Sequence, residues 1–159
     1  MNALMRTAFA LFAAVLTCPL HAEYGAPQKT YAQELVKRIV TRYPDLLVVA
    51  MHVMPPGESE NVVIASNVGR IGKRADAEDL RVIRTGETLA KVNKKGDRFE
   101  VELVLLNASR KPIGALALVF PHKAGDDPSQ FETRALKIRD ELAGEIPGVA
   151  KLMEPSRVE

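Results

Sequence analysis

In residues 98–106, Phe99, Val101, Leu103 and Leu105 alternate with Glu100 and Glu102. A period of two places the four apolar side chains on one face of a strand and the two acids on the other. A second strand candidate, residues 113–120, follows after a connection of hairpin length. Parallel strands need a crossover of a dozen or more residues, so these two must pair antiparallel. The apolar face they create has to be covered, and only the helical segments of the same chain can cover it. This pair therefore commits the chain to an antiparallel sheet with helices laid on one side.

Those helices show as helical periodicity. Over residues 28–42, Tyr31, Leu35, Ile39 and Val40, followed by Tyr43, recur at helical spacing, with Lys29, Glu34, Lys37 and Arg38 on the other faces. Pro44 ends this segment. Asp76 can cap a short helix whose apolar face carries Leu80 and Ile83 and which Gly86 stops. Asp127, Pro128 and Gln130 make a strong helix start. Phe131, Ala135, Ile138 and Leu142 then form one stripe, with Gly144 as the expected terminator, and residues 148–153 suit a further short turn. Three more strands are expected, at residues 46–54, 61–66 and 88–92. The first two should form a hairpin, and the last should join the central pair in a meander. The order α-β-β-α-β-β-β-α predicts an α+β domain with a five-stranded antiparallel sheet and long N- and C-terminal helices.

Before this domain, Arg6 and the apolar residues 8–16 read as a secretory leader too short to span a bilayer, with Ala22 before the expected cut. Residues 1–22 are then a signal peptide and residues 23–159 the mature domain, periplasmic or secreted. Cys18 offers a rival reading as a lipid anchor, although the residues before it lack the usual small side chain. Cys18 is the chain's one cysteine, so the mature domain enters an oxidising compartment with no thiol to mispair. Lys and Arg total 22 against 20 acids, a net charge of +2, which offers no concentrated basic face for nucleic acid. One Cys and three His rule out zinc-finger spacings and haem attachment, and no cofactor is expected. No later run is apolar enough for a membrane span.

The element order, the run Ile64, Ala65, Ser66, Asn67, Val68, Gly69, Arg70, Ile71, Gly72 and Lys73, the Asp79 and Gly86 beyond it, and Pro112 to Leu116 on the last strand resemble single Cache domains. These are PAS-like extracytoplasmic ligand sensors of bacterial chemoreceptors and histidine kinases. The resemblance covers most of residues 28–145. It implies a long N-terminal helix on one sheet face and a small ligand on the other, beneath the segment between the second and third strands. This chain departs from the family in carrying no transmembrane helix or signalling module after its last strand. It also has no Trp, so the aromatic amino-acid pocket known in some double Cache domains does not transfer.

Four residues are candidates for a ligand site. Arg70 and Arg74 lie in the most basic segment, where Gly69 and Gly72 would let a ligand approach the backbone closely. Behind them the sheet face would present His52 and Glu102. Each has a plainer reading: Glu100 and Glu102 as solvated acids on an open sheet face, and His52 as a satisfied core histidine. Arg81 and Arg84 read as the solvated face of the short helix, pairing with Glu78 and Asp79. A copper site from His52 and the nearby methionines fails on alternation, because Met51 falls on the opposite face. His122 follows the last strand with no evident partner. Two acids at i and i+2 invite comparison with glycoside hydrolysis, but a chain with 5% aromatic residues lacks the sugar-stacking floor. With no nucleophile constellation and no metal set, the expected function is an exported small-molecule sensor module, its ligand a small anion or zwitterion, acting with a partner protein. The alternative is an interaction module of the same fold with no ligand.

Overall fold

A computed structural model describes residues 29–156. The expected leader, Cys18 and the cut before Glu23 lie outside the described residues. The elements are α1 (Tyr31–Arg42), β1 (Val48–Val53), β2 (Val62–Ser66), α2 (Ala77–Thr85), β3 (Leu89–Val92), β4 (Arg98–Leu106), β5 (Pro112–Pro121), α3 (Pro128–Glu145) and α4 (Val149–Met153). The five strands form one antiparallel sheet in the order β2-β1-β5-β4-β3. Both the expected hairpin and the expected meander are present. What joins them is the pairing of β1 with β5, which brings Ala50 opposite Ala117 and His52 opposite Ala115.

One face of the sheet carries the main core. Val49, Met51 and Val53 of β1, the four alternating residues of β4, and Leu116, Leu118 and Phe120 of β5 pack there against α1, α3 and α4. Phe131 of α3 stacks on Phe99 at 4.9 Å between ring centroids and meets Phe120 at 5.6 Å. His122 is not partnerless: its Nδ1 lies 2.8 Å from the Gly96 carbonyl oxygen, and its ring packs near Phe99 and Phe131.

Helix α1 buries Ala32, Leu35, Val36 and Ile39, a stripe of small and aliphatic residues displaced from the more aromatic one expected; Tyr31 and Val40 only flank it. Helix α3 continues through Gly144 to Glu145. The stop comes from Pro147, which disfavours helical geometry in the residue before it, and Ile146 is accordingly extended and fully buried. Helix α2 differs most from expectation. Leu80 is 44% exposed, whereas Val82 and Asp79 are buried. Val82 packs with Val104, Leu106 and Ala115 on the second sheet face, which turns Asp79 inward one helical turn earlier.

Candidate functional site

The second sheet face is only partly covered by α2, and beside that helix it opens into a cavity of about 360 Å³. The hollow has a cause in sequence and register. Across β1, β5 and β4 one row reads Ala50, Ala117, Glu102, so two adjacent central strands present only methyl groups. Val48, Val63 and Val119 form apolar walls.

Three polar side chains converge at depth. His52 projects from β1 where its pairing with β2 shifts register, a bulge between Met51 and His52; such irregularities re-aim side chains at sites. Asp79 arrives on the first turn of α2 through a capping box. The Asp76 carboxylate accepts from the backbone N–H groups of Glu78 and Asp79, and Asp79 Oδ2 accepts from the N–H of Asp76 at 2.9 Å. Its other oxygen, Oδ1, lies 3.3 Å from His52 Nδ1. That contact is close in distance but poorly directed, and among the described residues His52 Nδ1 is buried without a hydrogen-bond partner. Glu102 Oε2 is likewise buried and unpartnered.

Burial governs the ionisation of both orphaned groups. It pushes the Glu102 carboxyl up to about 7, and the negative charges of Asp79, Asp76 and Glu78 add to the effect while Lys91 opposes it. Burial lowers His52 below the usual histidine value, outweighing the attraction of Asp79 and Asp76. Near neutral pH the deep wall thus holds a neutral imidazole and a carboxyl poised to exchange its proton.

The rim is basic. The segment 67–74 folds back along the edge of β2, with Val63 N–H donating to the Lys73 carbonyl and Gly72 N–H to that of Val63. Arg70, in the left-handed region at φ 69°, and Lys73 line the mouth. Neither takes part in the ion pairs found among the described residues. Lys91 of β3 is held by Glu78.

Of the four residues predicted from sequence, Arg70, His52 and Glu102 line this one cavity. Arg74 does not: it pairs with Glu60 at 2.8 Å and borders a separate shallow depression with Leu80. The reason is the return of the loop, whose bridge between Val62 and Arg74 points this side chain across the edge of β2. Arg81 pairs with Glu87 instead of the acids of its own helix. Sequence reading missed Asp79 as a site residue. Its signal was present in the spacing of Asp76 and Asp79, since a capping acid three residues after the cap fixes one oxygen and leaves the other free. It also missed the floor, whose signal is the small Ala117 on the face of β5 opposite Leu116 and Leu118.

No protein-family model matches this sequence, nor does any curated protein. Among solved structures the chain is similar to the type II free methionine-R-sulfoxide reductase of Thermoplasma acidophilum. That match has a TM-score of 0.54 at 14% identity and covers 81% of this chain and 98% of that one. It is also similar to a protein of Burkholderia vietnamiensis described as a GAF sensor, with a TM-score of 0.51, 16% identity and 76% of each chain covered. A third match is the repressor BlcR of Agrobacterium tumefaciens, with a TM-score of 0.50, 12% identity, and 73% of this chain and 67% of that one covered. At these identities the likeness is one of fold: a mixed α+β domain of the GAF/PAS-like kind with a five-stranded antiparallel sheet. The comparisons support that broader class, and no family match confirms the narrower Cache assignment.

Proposed function

We propose that this protein is an exported small-molecule-binding module of the sensor type, which acts through a partner protein and does no chemistry of its own. One observation carries the reading. The open sheet face holds a cavity of ligand size whose deep wall contains two buried polar atoms, His52 Nδ1 and Glu102 Oε2, with no partner among the described residues. Buried polar groups are nearly always satisfied, so these two are best explained as waiting for a ligand. The GAF-like fold, and the sensor description of the Burkholderia protein, agree with such a role. Sulfoxide reduction, the activity named for the Thermoplasma protein, would need a thiol if side chains alone performed it. Cys18 is the chain's one cysteine and lies outside the described residues, and no cysteine is among the described residues that line the cavity.

Native mass spectrometry of the purified protein tests the proposal. The expected result is a retained small molecule that is lost from Ala117→Leu, a variant that fills the floor while circular dichroism shows the fold intact. If the parent carries no ligand and no compound in a metabolite screen stabilises it, the interaction-module reading replaces this one.

A further inference from the structure

The cavity separates its charges by depth. Asp79 is 4% exposed and His52 7%, and Glu102 is half-buried, whereas Arg70 and Lys73 at the mouth are exposed. A carboxylate or phosphate driven to the floor would face Asp79, Glu102 and the neighbouring Glu100. An ammonium group arriving there would instead supply the donor that Glu102 Oε2 lacks, one for His52 Nδ1 in one tautomer, and a positive charge beside Asp79 Oδ1, which lies 3.3 Å from that nitrogen. The free guanidinium and ammonium groups at the mouth call for the opposite charge. Between the two ends the walls are aliphatic: Val48, Val63, Ala50 and Val119.

We propose that the cavity takes an aliphatic amino-carboxylate zwitterion ammonium-first, with the ammonium between Glu102 and Asp79 and the carboxylate at Arg70 and Lys73. This rests on the small-molecule reading above and adds the ligand's class and orientation. It also entails proton linkage. The charged and titratable groups that line the cavity with Glu102 are Asp76, Glu78 and Asp79 from the α2 segment, Lys91 from β3, His52 from β1, Arg98 and Glu100 from its own strand, and Arg70 and Lys73 at the mouth. Of these, Asp79, Asp76 and Glu78 raise its carboxyl and Lys91 opposes them. In that acidic setting an ammonium group displaces the proton that Glu102 otherwise keeps below about pH 7. Affinity for amines then rises between pH 5.5 and about 7.5 and levels off above.

Titration calorimetry with matched probes that carry their two charges at opposite ends of an aliphatic chain decides the point: 4-aminobutanoate and 5-aminopentanoate, their des-amino acids butanoate and pentanoate, and their decarboxylated amines propylamine and butylamine. The amino acids should bind best, the amines more weakly and the des-amino acids not at all. Glu102→Gln should weaken amino acids and amines by about ten- to a hundredfold and abolish the pH dependence. Arg70→Ala should weaken the amino acids alone. Melting curves confirm that each variant is folded. If the des-amino acids bind and the amines do not, or if Glu102→Gln binds the two amino acids as the parent does, the ammonium-first orientation is overturned while the small-molecule reading stands. If none of the six binds, the inference falls; if native mass spectrometry also finds no ligand, both fall together.

Discussion

Glu102 and His52 stand on the same sheet face, and burial acts on them in mirrored ways, favouring the neutral acid and the neutral base. The consequence for stability has a definite sign. The folded chain keeps the Glu102 proton to about pH 7, whereas an unfolded carboxyl loses it near 4.5, so this residue's contribution falls as pH rises through that window. His52 works the other way, because its lowered folded value costs stability as pH drops below 6.5. His52 is present in both the parent and Glu102→Gln, so comparing the two proteins isolates Glu102. Glu102→Gln should melt higher than the parent at pH 8, by the order of 1 kcal/mol once solvent screening of a half-exposed group is allowed for, with the gain gone at pH 5. Thermal melts across pH check this; a gain of equal size at both ends would mean the charge is not the cause.

Among the elements, α2 and β5 hold the site in shape. The capping box at the start of α2 both satisfies the helix end and aims Asp79, so Asp76→Ala should cost about 1 kcal/mol and weaken ligand binding as well. A chemical denaturation curve and a binding isotherm measured together would show whether the two losses travel together. On β5, a Cβ at Gly114 would lie 2.0 Å from the His52 carbonyl oxygen, closer than atoms can approach. Gly114→Ala must push β5 away from β1 at the bulge, and amide hydrogen exchange should report loss of protection in β1 around His52. Opposite the site, α3 is anchored by Phe131 in its aromatic cluster. Phe131→Ala should cost roughly 3 to 5 kcal/mol and lower the melting temperature sharply.

At the scale of the whole molecule the sheet divides its labour. One face is packed under three helices, and the other is left partly open by the short α2. The main core and the proposed binding site then lie largely on opposite faces, which is why filling the floor with Ala117→Leu should remove binding with little loss of fold. Among the described residues no helix is long and apolar enough to cross a membrane. The export proposed above rests on the sequence of residues 1–22. N-terminal sequencing of protein from a periplasmic fraction should begin at Glu23, and lipid on Cys18 in the membrane pellet would overturn that processing.

Local chemistry was legible along the chain by itself. Alternation in residues 98–106 assigned the core face of β4, Asp76 and Asp127 marked helix starts, Gly86 marked a stop, and short connections dictated both sets of antiparallel neighbours. These are contests settled within a few residues, where period, caps and φ preferences have their full effect. The tertiary structure alone decided that β1 lies beside β5, and the cavity follows from that choice. Ala50 and Ala117 are 67 positions apart in the chain, and no local preference couples them; only the packing of the finished core sets them in one row with Glu102. The same holds for the rotation of α2, where burying Val82 outweighed burying Leu80 and turned a capping acid into a site residue. Arg74 shows the converse, since its loop position suggested the mouth while the edge pairing of Val62 sent it to Glu60. Periodicity assigns a side chain to a face, whereas its neighbours across the sheet are chosen by the free energy of packing summed over the whole chain.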